Sequence, residues 1–152
     1  MIKIRKQTPY RQMPVEGDFF SIQLPNNHYI IGRIIRHQAS HIPTLDDLLV
    51  YIYSNVLETP DVEMCFDKNN LLIPPTYVNR LGWTKGYFNH EGGRPLKKEE
   101  YHPNHCFCRC PFSPTGCIDQ YGKFVERFEP CGNFGLGNYN TIDMQVCEAL
   151  GL

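Results

Sequence analysis

A period of two marks the chain from Phe20 to Leu24 and again from Ile30 to Ile35. Phe20, Ile22 and Leu24 share one face of a segment opened by Glu16-Gly17-Asp18, and Ile30, Gly32 and Ile34 oppose Ile31, Arg33 and Ile35 in the next. Between them lies Pro25-Asn26-Asn27-His28, a run of turn formers. Pro14 to Arg36 is therefore read as one antiparallel hairpin, with β-branched and aromatic arms. A glycine inside the second arm, Gly32, predicts a bulge or a close backbone approach.

Leu48 to Tyr53 is apolar on both faces and too short for a helix, the pattern of a central strand. Glu58 to Asn70 is acidic and broken by Pro60 and Asn69-Asn70, a surface loop around Met64-Cys65-Phe66. Leu71-Leu72-Ile73 stops at Pro74-Pro75, and Gly82 to Phe88 reads as a further strand with Trp83 in the core. Asn89 to Lys98 is a turn-rich connection. His105 to Cys110 and Cys117 to Phe128 supply more strand, with Tyr121-Gly122-Lys123 as a hairpin turn. At the end the period changes. Thr141 caps a helix with Asp143 in its first turn and Ile142, Val146, Ala149 and Leu150 as its apolar stripe, ended by Gly151. Residues 1–13 are polar and are expected to be a loosely held lead-in.

These elements describe one α+β, mainly β domain over residues 1–152: a twisted antiparallel sheet, or a partly open SH3-like barrel extended by a second strand group, closed by the short C-terminal helix. A chain of 152 residues with 41% hydrophobic content suffices for one core, and 12 Gly, 12 Pro, 9 Phe and 9 Tyr favour turns and strands.

Charge narrows the classes of partner. A net charge of −1 argues against general nucleic-acid binding, which needs an excess of Lys and Arg. The distribution is uneven. Residues 1–36 carry Lys3, Arg5, Lys6, Arg11, Arg33 and Arg36 against Glu16 and Asp18, whereas residues 44–70 carry Asp46, Asp47, Glu58, Asp61, Glu63 and Asp67 against Lys68. The acids lack a fixed spacing for a metal or an acid/base pair and are read as an acidic surface, able to steer a basic protein partner. Tyr51, Tyr53, Tyr77, Trp83 and Tyr87 are candidate anchors or core residues. No apolar run approaches a membrane span or a signal-peptide core, so the expected compartment is the cytoplasm and no membrane partner is expected. Seven cysteines are then expected as free thiols.

The chemical candidate is His102-x-x-His105-Cys106-x-Cys108-x-Cys110, with Cys117 and Cys131 downstream. Thiolates and imidazoles suit zinc, but no Cys-x-x-Cys knuckle is present, Cys106 and Cys110 having three residues between them, Cys108 among these. Alternate cysteines of an extended strand stand about 7 Å apart at Cα and converge poorly. They are read as small buried hydrophobes, with His102, His105, Cys106 and Cys108 as the alternative metal set and no cofactor otherwise expected. The glycines between Cys131 and Asn138 match no phosphate-binding pattern, and nothing in the sequence pairs one histidine with one thiol for nucleophilic catalysis.

The order Glu16-Gly17-Asp18-Phe19-Phe20-x-Ile22, Tyr29, Gly32-Arg33-Ile34, Val50-Tyr51-Ile52-Tyr53, Gly82-Trp83-x-x-Gly86-Tyr87-Phe88, Tyr139-x-Thr141-Ile142-Asp143 and Glu148-Ala149-Leu150 resembles the bacterial immunity protein 26 family. The resemblance implies a non-catalytic protective protein of a polymorphic toxin system, one that binds a cognate toxin domain in the cytoplasm. It supplies no contact residues. Some relatives carry a phosphotriesterase label, which calls for clustered metal ligands, and this chain has no His-x-His pair. A metal-dependent hydrolase and an SH3-like nucleic-acid module are the alternatives from other classes.

Overall fold

The computed structural model describes residues 1–37, 47–109 and 116–152. The expected hairpin is formed by β1 (Asp18–Gln23) and β2 (Tyr29–His37), antiparallel with Ile22 opposite Ile30 and Phe19 opposite Arg33. Its turn closes through Leu24 N–H to the His28 carbonyl at 2.8 Å and Asn27 N–H to the Leu24 carbonyl at 2.9 Å. Gly32 faces Phe20, and a Cβ there would stand 2.2 Å from the Phe20 ring. The glycine thus marks a close approach: an aromatic ring lies flat on its backbone.

Three more strands complete a five-stranded antiparallel sheet in the order β4-β3-β2-β1-β5: β3 (Leu48–Tyr53), β4 (Leu71–Val78) and β5 (Asn89–Gly93). β3 is interior and buried throughout, and the sheet is covered on both sides. One face, with Phe20, Ile34, Val50 and Ile52, packs on Trp83, Phe88 and the helical residues Ile142 and Val146. The other, with Phe19, Ile31, Leu49, Tyr51 and Tyr77, packs on Phe107 and Ile118 of a second sheet. That sheet has the order β8-β7-β6-β9 and strands of two or three residues: β6 (Cys106–Cys108), β7 (Cys117–Ile118), β8 (Phe124–Val125) and β9 (Cys131–Asn133), the β6–β9 pair being parallel. The mainly β, α+β class is as expected.

Several local expectations are corrected. β4 runs through Pro74 and Pro75 because it is an edge strand, where a missing N–H breaks no ladder, and its pairing with β3 shifts register nearby. Gly82 to Phe88 is not a strand. Leu81–Thr84 is one helical turn, α1, and Phe88 N–H returns to the Gly82 carbonyl at 3.0 Å. The fold-back brings Trp83, Phe88 and Phe20 together with ring centroids 5.0 Å apart, whereas Trp83 and Phe88 on an extended strand would be about 17 Å apart. The strand lies instead in the expected connection, as β5, paired with β1.

The C-terminal helix, α2 (Tyr139–Leu150), starts earlier than Thr141. Asn138 is its cap, accepting from Asn140 N–H at 2.8 Å, while the Thr141 hydroxyl accepts from Asn138 N–H at 3.4 Å. Tyr139 is drawn into the first turn by stacking on Tyr87 at 4.6 Å. Ile142, Val146 and Cys147 make the buried stripe, and Ala149 is exposed.

Residues 1–13, expected to be loosely held, make specific contacts. Arg5 N–H reaches the Gln23 carbonyl at 2.8 Å, Gln7 N–H the Gly86 carbonyl at 2.7 Å and Tyr10 N–H the Trp83 carbonyl at 2.8 Å. Ile4 is buried, and the buried Asp143 carboxylate accepts from Lys3 and Ile4 N–H at 3.0 and 2.8 Å.

Candidate functional site

The acidic segment after β3 owes its course to alternation. From Asp61 to Asp67 the odd positions Asp61, Glu63, Cys65 and Asp67 are exposed, and the even positions Val62, Met64 and Phe66 are half-buried. Val62 and Phe66 join the core beneath the second sheet, with Phe66 stacked on Tyr53 at 4.8 Å and tilted on Phe19 at 6.1 Å. The Arg94 guanidinium donates to the Val62 carbonyl at 3.4 Å. Asp61 and Asp67 stiffen their own turns, accepting from Glu63 N–H at 2.9 Å and Asn69 N–H at 2.8 Å. The strip thus presents Asp61, Glu63 and Asp67 to solvent, with exposed Glu58 just before it.

The other two predicted acids differ. Asp47 is buried at the entrance to β3, so it is not a surface charge, and Asp46 lies outside the described residues. Tyr51, Tyr53, Tyr77 and Trp83 are core rather than anchors, being buried, and Tyr87 is half-buried under Tyr139. Among the described residues the large aromatics left open are Tyr121, in the β7–β8 turn, and Phe124, at the start of β8. The turn is legible from Tyr121-Gly122-Lys123; its exposure is not.

The basic bias of the first 36 residues is also less superficial than its sequence. Arg33 is buried. Its Nη1 pairs with the Glu100 carboxylate, Nη2 donates to the Arg94 carbonyl at 2.9 Å and Nε to the Gly17 carbonyl at 3.3 Å. Burial alone would raise the Glu100 pKa, but Lys97 N–H and the Arg33 guanidinium outweigh it and hold the carboxyl below its ordinary value.

Where β1, β2 and the end of β5 meet the segment before β6 and the β7–β8 turn, a pocket of about 660 Å³ is lined by Asp18, Arg36, Arg94, His102, His105 and Tyr121, among others. Most of its polar groups are engaged, while Arg36 Nε and His105 Nδ1 are buried without a hydrogen-bond partner among the described residues. The Asp18 carboxylate accepts from Val15 N–H at 3.0 Å and lies 3.3 Å from His90 Nε2; Arg36 lies over the Tyr121 ring. The Tyr51 hydroxyl accepts from His102 N–H at 3.0 Å and stands 2.7 Å from His105 Nε2. Burial pushes the Tyr51 phenol up to about 12. Burial, with His102 nearby, lowers His105 to about 4, so His105 is neutral at pH 7. His102 Nε2 donates to the Lys68 carbonyl at 3.1 Å.

Neither histidine joins the cysteines, contrary to the alternative set of His102, His105, Cys106 and Cys108. The sulfurs that converge are those of Cys106, Cys108, Cys117 and Cys131, all within 4.8 Å of one another. Cys108 and Cys117 form a disulfide, which corrects the expectation that all seven cysteines are free. The 7 Å spacing along one strand misled because flanking strands fill it. Cys117 pairs with Cys108, Cys131 pairs with Cys106, and the Cys106 and Cys108 side chains lean to a sulfur separation of 3.8 Å. Cys110 lies outside the described residues.

Among the described residues no helix is long and apolar enough to cross a membrane. Residues 15–114, about two thirds of the chain, match the family model described as Immunity protein 26. Neither a curated protein nor a solved structure matches it.

Proposed function

The chain belongs to the Immunity protein 26 family, and from that premise we propose that it is a non-catalytic immunity protein that binds and blocks a cognate toxin domain in the cytoplasm. The contact surface includes Glu58, Asp61, Glu63 and Asp67. The observation that carries this reading is the strip itself: acids at alternate exposed positions, fixed by Val62 and Phe66 to a sheet that is covered on both faces. Preorganised charge of one sign speeds encounter with a basic partner and discriminates among partners. The binding role also agrees with the engagement of His102 and His105 in hydrogen bonds to Lys68 and Tyr51.

Co-expression tests it. Where a neighbouring reading frame encodes a toxin domain, that domain should arrest bacterial growth alone and not when this chain is present. Continued arrest with both proteins soluble and abundant would refute the reading.

A further inference from the structure

We propose that Cys106, Cys108, Cys117 and Cys131 form a tetrathiolate zinc site once the Cys108–Cys117 disulfide is reduced. A disulfide needs two sulfurs, yet four meet here. Cys131 Sγ lies 3.5 Å from Cys106 Sγ and 3.1 Å from Cys108 Sγ, and Cys106 and Cys108 are 3.8 Å apart. Tetrahedral zinc with Zn–S bonds of about 2.3 Å requires sulfur separations of about 3.8 Å. The cluster is therefore close to the size of an S₄ shell: Cys106 and Cys108 already stand at that spacing, Cys131 needs a shift of a few tenths of an ångström from Cys106 and somewhat more from Cys108, and reduction frees Cys108 and Cys117 to part from bonding distance to the same spacing.

The ligands come from three adjacent strands: two from β6, one from β7 and one from β9. Cys106, Cys108 and Cys117 are buried, while Cys131 is half-buried and leaves an approach for the ion. Phe107 points the other way, onto Tyr77 at 4.4 Å, so one face of β6 seats the small sheet on the large one and the other gathers the sulfurs. The small sheet needs such a fastening. Strands of two and three residues bury too little to hold themselves together, and a metal or a cross-link is the usual remedy.

The redox step balances with a small-molecule thiol as reductant: two thiols reduce the Cys108–Cys117 bond to two cysteine thiols and become one disulfide. Zn²⁺ then displaces a proton from each of the four cysteines. The disulfide and the metal exclude one another, so oxidation releases the ion.

The test is a Co²⁺ titration of the 152-residue chain, reduced with dithiothreitol and freed of it under nitrogen, followed by displacement with Zn²⁺ and a count of zinc per chain. One tetrahedral thiolate Co²⁺ spectrum per chain, bleached by one equivalent of Zn²⁺, is expected. Cys106→Ser and Cys131→Ser should lose that spectrum, whereas Cys65→Ser, at an exposed cysteine outside the cluster, should keep it. If the serine variants fail to fold, the wild-type titration still decides. Reduced, folded wild-type chain that takes up neither metal at micromolar concentration would overturn the proposal, as would a Cys108–Cys117 disulfide that survives the thiol.

Discussion

Arg33 carries a full charge in a setting from which water is excluded, and its partners explain why that is tolerated. Glu100 supplies the counter-charge, the Gly17 and Arg94 carbonyls take further donors, and the Phe19 ring lies 4.4 Å from the guanidinium. Glu100→Gln should destabilise the fold by about 2–3 kcal/mol in urea unfolding, because Arg33 stays buried without its counter-charge. The pH dependence has a definite sign. The folded pKa of Glu100 lies below its ordinary 4.5, so its contribution is complete above pH 4.5 and is lost as pH falls through the folded value. Between pH 5 and 3 the urea midpoint of wild type should fall more than that of Glu100→Gln; parallel curves would contradict the pairing.

Gly17 is constrained differently. Its φ of +91° is left-handed, and a Cβ would stand 2.2 Å from the Arg94 carbonyl oxygen. Gly17→Ala should lower stability by about 2 kcal/mol or more, read from the same midpoints. The sequence shows Glu16-Gly17-Asp18 as an opening to a strand. It does not show that the glycine carbonyl receives a buried arginine, since the Arg33 side chain is held in place by Glu100 and the Arg94 carbonyl, which lie far along the chain.

At the scale of elements, α2 does more than cover the sheet. Asp143 takes the Lys3 and Ile4 amides, and the Lys3 ammonium donates to the Leu152 carbonyl at 2.9 Å, so the two chain ends clasp one another. Asp143→Ala should cost about 2–3 kcal/mol and expose the Ile4 amide to fast hydrogen exchange, while Asp143→Asn, which keeps an acceptor oxygen, should lose less. Unchanged Ile4 protection in the alanine variant would contradict the clasp. The hairpin, the double-faced β3 and the final helix were legible because local alternation and turn chemistry dictate them. The helical turn at Trp83 and the strand at Asn89 were not, since aromatic packing among Phe20, Trp83 and Phe88 overrides local pattern. The cysteine cluster was half legible: residue type and strand were readable, convergence across three strands was not.

For the whole molecule, both faces of the five-stranded sheet are covered, and the proposed contact surface lies on a loop outside it. Of six acids read from the sequence as one surface, four are exposed, because burial of Asp47 follows from its place at the mouth of β3, and Asp46 lies outside the described residues. The alternation from Asp61 to Asp67 was readable in principle, its period of two hidden by Cys65 and by the flanking turns. The central claim is that this strip steers a toxin into contact. It is tested most directly by the association rate of the purified chain with a toxin domain that co-expression identifies as its cognate, at low and high salt, against a Glu58→Lys/Asp61→Lys/Glu63→Lys/Asp67→Lys variant of unchanged thermal stability. The account predicts a wild-type rate that falls steeply with salt and a variant at least about tenfold slower at low salt. Equal rates, with equal salt dependence, would contradict it.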